Sequence, residues 1–195
     1  MSRIKDLESR LETTEKELRL LQKISRLMAR EIQIDEALKN IVSLVVEFMQ
    51  CDSCLLYLLN EKDLVLCASN HPRPDMIGRV KLKLGEGLTG WVARERRLLS
   101  LSREAYLDPR FKLFADLPED TYEAFLSAPV LLGNRVAGVI NVQHREAHFH
   151  TGGEMELLTT VGEQVGCLVA LAFADTGSFR TSDVLDRLMS TVRRV

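Results

Sequence analysis

The sequence predicts an α/β (α+β) domain: one antiparallel sheet of five or six strands, helices over 35–50 and 151–173 on one face, and an irregular lid segment on the other. Three observations carry that expectation. Short apolar runs are joined by turn chemistry at Asn60-Glu-Lys-Asp63 and at Gly133-Asn134, which reads as hairpins. Apolar residues at helical spacing bracket those runs on either side. Between them, the alternating Val80, Leu82 and Leu84 end at Gly85-Glu-Gly87-Leu-Thr-Gly90, a tight corner from strand into helix.

Residues 1–30 place Ile4, Leu7, Leu11, Leu18, Leu21 and Met28 on a heptad seam that also holds Thr14 and Ser25. That pattern predicts a pairing helix and hence a homodimer. The plainer reading is an amphipathic helix lying on its own domain, for which Leu20, Ile24 and Leu27, off the seam, supply a face. Asp35 reads as an N-cap with Glu36 in the first turn. Leu38, Ile41, Val42, Val45, Val46 and Met49 form the buried stripe that follows. Strands are expected over 53–59 and 64–69, then a loop at His71-Pro-Arg-Pro-Asp75, where two prolines exclude helix.

After the glycine corner, Leu88, Trp91 and Val92 mark one face of a short helix, and 98–101 a short strand. Residues 102–122 are irregular yet carry Tyr106, Phe111 and Phe114, aromatics that need burial over the sheet. Val136 to Val142 is apolar on both faces except at Asn141, so it should be a central strand. Gly138 within it marks close approach of a ligand or another backbone, or small-residue packing against a helix. A helix over 151–173 follows, capped near Thr151 or Gly152. Residues 176–178 break it, and a short amphipathic piece ends the chain. The expected division is therefore 1–30, 31–174 and 175–195, the last a docking helix or a connector.

Taken as a bare pattern, Gly85 to Gly90 is the dinucleotide fingerprint G-x-G-x-x-G. The context excludes it: the helix stops at Arg94-Glu-Arg-Arg97 and no second parallel strand with a terminal acid follows. Cys51-x-x-Cys54 follows a helix and enters a strand, the wrong polarity for a thiol activated by a helix N-terminus. His144, His148 and His150 suggest a metal, and His148-x-His150 on a strand would share a face, but a site needs a third and usually a fourth ligand and only Glu146 and Glu154 are near in sequence. A solvated loop without metal is the expectation. No nucleophile elbow, zincin motif or P-loop is present.

Gly85 to Ala93, GEGLTGWVA, resembles the signature of the GAF domain family, and Phe125 to Gln143, FLSAPVLLGNRVAGVINVQ, is similar to that family's central hairpin. Asp108-Pro-Arg-Phe-Lys112 resembles the branch preceding the nitrogen-related phosphotransferase-system enzyme I, with nitrogen-fixation activators as relatives. The resemblance covers about residues 16–174. It implies a non-catalytic sensory or regulatory domain that binds a small metabolite and signals through flanking helices to an effector domain. Glutamine or 2-oxoglutarate are the first choices.

The expected lining is Leu84, Trp91, Arg110, Phe111, Phe114, Phe125, Ser127 and Asn141, with Arg110 and Lys112 and the N–H groups of 87–89 as counter-charge for an acidic ligand. The alternatives are a ligand-free dimerisation scaffold and, remotely, a free methionine sulfoxide reductase. No cysteine lies between Ser69 and Gly166, so the chromophore-bearing members of the family have no counterpart here. None of the four histidines sits in a phosphorylation motif of the phosphotransferase kind; such a histidine would lie beyond Val195.

Bulk properties agree. The net charge of −2, with both signs interleaved, gives no nucleic-acid footprint, and the absence of a long apolar run gives no membrane span. Four cysteines without secreted spacing and a polar N-terminus predict reduced thiols and a cytoplasmic location. No cofactor beyond an unidentified small ligand is expected.

Overall fold

A computed structural model describes residues 2–30, 33–71, 74–112 and 122–174. Phe114, Pro118 and the 175–195 segment lie outside the described residues. Helices α1 (Ser2–Met28) and α2 (Ile34–Met49) lead into β1 (Ser53–Asn60), β2 (Asp63–Ser69) and β3 (Lys81–Lys83). Then come α3 (Gly87–Glu95), β4 (Leu99–Leu101), β5 (Ala124–Leu132), β6 (Arg135–His144) and α4 (Gly152–Ala174). Single 3-10 turns sit at Pro74–Met76 and Ala105–Leu107.

The strands form one six-stranded sheet, ordered β3-β2-β1-β6-β5-β4, with every neighbouring pair antiparallel. β6 is central, as its apolar faces require, and runs two residues past Val142. The β5–β6 turn has Gly133 at φ 57° while Asn134 stays at negative φ, the arrangement of a II′ turn. Gly138 is explained by a backbone: a Cβ there would lie 2.1 Å from the Tyr57 carbonyl oxygen of β1.

Strand alternation splits the core in two. Cys54, Leu56 and Leu58, Leu126, Ala128 and Val130, and Ile140 and Val142 face α2, α4 and the end of α1. Leu55, Tyr57, Phe125 and Val139 face the other way, with Leu88, Val92 and Ala93 of α3 and with Met76. The second face is thus covered in part by a helix as well as by an irregular segment, which the expected layering did not include.

α1 divides its loyalties. Leu20 and Ile24 are fully buried in the domain core, and Leu21, Leu27 and Met28 pack against it. Two such side chains stabilise the docking by roughly 3–6 kcal/mol, so the last two turns belong to the domain. Ile4, Leu7, Leu11 and Leu18 remain 54–63% exposed.

The cap of α2 is Gln33 rather than Asp35, which falls inside the first turn beside Glu36. α4 starts with a capping box: the Glu154 amide donates to Thr151 Oγ1 at 3.2 Å, and the Thr151 amide to Glu154 Oε2 at 2.7 Å. Its Gly152–Ala172 stretch is long and apolar enough by composition to cross a bilayer. In this fold that apolarity is used on the sheet: Leu157, Leu158, Val161, Val165 and Val169 are buried.

Candidate functional site

The glycine corner sets the position of everything above the second sheet face. Gly85 and Gly87 adopt φ of 85° and 66°, and Gly90 lies so close that a Cβ would meet the Lys83 carbonyl at 2.4 Å. The Gly85 amide donates to the Gly90 carbonyl at 2.8 Å. These contacts pin α3 to the end of β3 and aim Thr89 at the sheet.

Beneath Thr89 runs a polar row in an otherwise apolar layer. The buried Asn141 donates from Nδ2 to Thr89 Oγ1 at 2.7 Å and accepts at Oδ1 from Ser127 Oγ at 2.6 Å. Two residues along β6, Gln143 lies on the same face, between Ser53 of β1 and Phe125 of β5 by register. Gln143 is 9% exposed, and its Oε1 has no hydrogen-bond partner among the described residues. Ser53 Oγ meets His71 Nε2 at 3.2 Å, and Tyr122 OH reaches the same nitrogen at 3.2 Å.

Against the α3 side lies a second polar group. The Arg110 guanidinium stacks over the Trp91 ring at 4.6 Å and makes a two-toothed pair with Asp108, Nε to Oδ1 at 2.8 Å and Nη2 to Oδ2 at 2.7 Å. Those hydrogen bonds hold the Asp108 carboxyl below its usual range and raise Arg110. Lys112 pairs with Glu86, and its hydrogen bond lowers the Glu86 carboxyl. Both cations expected to meet an acidic ligand already have carboxylate partners.

Of the residues expected to line the space, Phe125, Ser127 and Asn141 are buried on this face, and Trp91 and Phe111 pack at the edge of its core. Leu84 is a correction: it is 39% exposed, because β3 ends at Lys83 and Leu84 falls past the last pairing with β2. The Thr89 hydroxyl, Gln143, Ser53, His71 and Tyr122 were not anticipated. The signal for Gln143 was available, since it continues the alternation begun by Asn141.

The histidine loop also differs from expectation. His144 and His150 are 7% and 2% exposed, not solvated. Burial pushes both imidazoles toward the neutral form, His150 down to about 4, and the neighbouring His148 adds to this. Glu154 stays below its usual range although burial opposes it, because hydrogen bonds from the Thr151 amide, His148 and the Thr151 hydroxyl outweigh desolvation.

The thiols of Cys51, Cys54 and Cys67 belong to the helix-side core, away from the polar row. Burial pushes Cys51 and Cys67 up to about 12 and raises Cys54 as well.

A six-stranded antiparallel sheet with helices on both faces and a polar row under a short helix defines a single-sheet α+β domain. The chain belongs to the GAF domain family, whose model matches residues 33–169. It is similar to the "Phosphoenolpyruvate-dependent phosphotransferase system" protein of Escherichia coli K12, 26% identical over 152 residues that make up 77% of this chain and 20% of the relative. The chain thus spans about a fifth of the length of the curated relatives it matches. Among solved structures, the GAF domain of a Coxiella burnetii phosphoenolpyruvate-protein phosphotransferase is 26% identical, with a TM-score of 0.78 over 84% of this chain and 98% of that one. The corresponding Acinetobacter domain is 28% identical, with a TM-score of 0.73 over 80% and 94%. A Staphylococcus aureus free methionine sulfoxide reductase, 17% identical with a TM-score of 0.64 over 78% and 94%, shares the fold alone.

Proposed function

We propose that this chain is a non-catalytic sensory domain that binds a small polar metabolite against the β6–β5 half of the second sheet face and signals through its flanking helices. The single observation that carries this reading is Gln143 Oε1, a buried acceptor without a partner among the described residues, beside the partnered Asn141, Ser127 and Thr89. A buried unsatisfied polar group costs about 1–3 kcal/mol, which a ligand donor would recover. Neutral amide and hydroxyl groups, with Arg110 and Lys112 already paired, favour glutamine over the dianionic 2-oxoglutarate.

Similarity to phosphotransferase GAF domains supports a regulatory role in such a system or in a transcriptional regulator, in the cytoplasm, acting on an effector domain. The exposed Ile4, Leu7, Leu11 and Leu18 support a homodimer paired through the first turns of α1. Signalling would be a population shift: ligand held by β6 biases how α1 and α4 pack and pair.

The scaffold reading rests on a specific observation too. The β1–β3 half of the same face is filled, with Leu64, Leu66 and Leu82 closed over by Met76, Leu88 and Val92. The reductase reading finds no support in thiols that sit on the opposite face with raised pKa. Calorimetric titration with glutamine, 2-oxoglutarate and cyclic nucleotides, paired with emission from Trp91, the single tryptophan, separates the first two. Glutamine binding that is lost in Gln143→Leu is the expected result. No heat with any of the ligands would favour the scaffold.

A further inference from the structure

The loop between β6 and α4 is anchored at both ends and in the middle. The Arg145 amide donates to Asp52 Oδ2 at 2.8 Å, the His148 amide to the Ser102 carbonyl at 2.9 Å, and Thr151 caps α4 through Glu154. This fixed backbone gathers His144, His148 and His150 so that one ring nitrogen of each lies within 4.8 Å of the others. Two nitrogens of these rings, His144 Nε2 and His150 Nε2, are buried and have no hydrogen-bond partner among the described residues.

We propose that His144, His148 and His150 form a three-histidine site for a divalent transition-metal ion of the zinc class, with Glu154 orienting His148 and Ser100 orienting His150. A bare histidine cluster in a core is costly. Each stranded imidazole nitrogen loses its water without gaining a partner, and three rings within 4.1–5.6 Å of one another cannot all carry a proton cheaply. A cation shared by neutral imidazoles removes both costs.

The outer contacts are those a metal-bound histidine needs, in which the non-ligating nitrogen is fixed by a carboxylate or another acceptor. His148 Nε2 meets Glu154 Oε1 at 2.8 Å, which leaves Nδ1 to ligate. His150 Nδ1 meets Ser100 Oγ at 3.0 Å, which leaves Nε2. Glu154 is itself held, by Thr151 at the helix cap. Three imidazoles with a fourth position open to water suit tetrahedral zinc.

Tetrahedral ligation at about 2.0–2.1 Å puts ligand nitrogens about 3.3 Å apart, so the rings must close by no more than about 1.5 Å. The His144 ring, now stacked face to face with His148 at an 11° interplanar angle, must turn about its outer torsion while His148 keeps its bond to Glu154. That torsion is broad in histidine. The site lies at the edge of the sheet, joining β6, β4 and the first turn of α4. Its chemistry is independent of the polar row around Asn141.

The test uses the full chain, freed of metal by chelator, with Zn2+ as probe and Co2+ as a spectroscopic stand-in. One equivalent of Zn2+ should bind and raise the melting temperature, and Co2+ should give the intense visible bands of a four-coordinate ion. His148→Gln, at the least buried of the three rings, should fold normally and weaken Zn2+ binding at least tenfold. Glu154→Gln preserves the capping box and should weaken it about 10–100-fold. A Cys51→Ser/Cys54→Ser/Cys167→Ser variant should bind as tightly as the parent. The proposal is overturned if folded His148→Gln binds Zn2+ unchanged, if the thiol variant loses binding, or if uptake is not stoichiometric.

Discussion

Asn141→Ala strikes the polar row at its centre. Asn141 is 1% exposed and serves two hydroxyls at once, Ser127 at 2.6 Å and Thr89 at 2.7 Å. Truncation strands both, and neither can turn to water: Ser127 is fully buried and Thr89 is 7% exposed. One stranded buried group costs about 1–3 kcal/mol, and the void left by the carboxamide adds to it. The expected loss is about 2–4 kcal/mol, which at roughly 2–4 °C per kcal/mol lowers Tm by about 5–15 °C.

The control removes all three bonded partners. Thr89→Val/Ser127→Ala/Asn141→Leu strands no further group and keeps most of the volume, so it should cost less than the single change, about 1.5 kcal/mol or under. Urea unfolding followed by Trp91 emission and by circular dichroism measures both, provided the two transitions coincide. A loss under about 0.5 kcal/mol for Asn141→Ala, or a triple variant less stable than the single one, would refute the reasoning.

Four further outcomes are expected. Gly166→Ala should destabilise by about 1–3 kcal/mol, because its Cβ would lie 2.0 Å from the Leu131 carbonyl oxygen. Gly162→Ala, at 2.9 Å from the Pro129 oxygen, should come out near neutral once the ~1 kcal/mol gain in helix propensity is added; chemical denaturation ranks the pair. Leu11→Lys with Leu18→Lys should abolish the proposed pairing of α1 in sedimentation and lower Tm only by the lost association, whereas Ile24→Lys should unfold the domain. Asp108, whose folded pKa is depressed by Arg110, contributes stability above its unfolded pKa near 3.9 and loses it as pH falls through the folded value. The deficit of Asp108→Asn should therefore be full at neutral pH and vanish in acid, as read by unfolding at each pH. Alkylation at mild pH should label the exposed Cys167 and leave Cys51, Cys54 and Cys67 untouched, as counted by mass spectrometry.

What the sequence disclosed and what it hid follow from how local each signal is. Gly133-Asn134 and the glycine corner were legible because a turn is decided by the residues within it. Leu84 misled because alternation alone does not say where a strand's pairing stops: β3 lasts three residues, and the next side chain already faces water. The role of the Thr89 hydroxyl was invisible, since it comes from Asn141, 52 positions away. The pairing of Arg110 was closer to hand, as Asp108 is two residues back, but a charge pattern does not tell a satisfied pair from a free cation. His150 is met by Ser100, 50 positions back, and no local pattern contains that or the burial of His144 and His150.

The parity of the central strand decides which chemistry each face can perform. Odd positions of β6 carry Val139, Asn141 and Gln143, and even positions carry Ile140 and Val142. β1 keeps the same division, with Ser53 and Leu55 on the polar side and Cys54 and Leu56 on the other. A one-residue slip would exchange the two sets and put a thiol beside the amides. The register is set against that slip by Gly138, which admits the Tyr57 carbonyl where any Cβ would collide. The same glycine that lets β6 run tight against β1 therefore keeps sulfur out of the polar row and leaves Gln143 and Asn141 within it, the placement on which the proposed binding role rests.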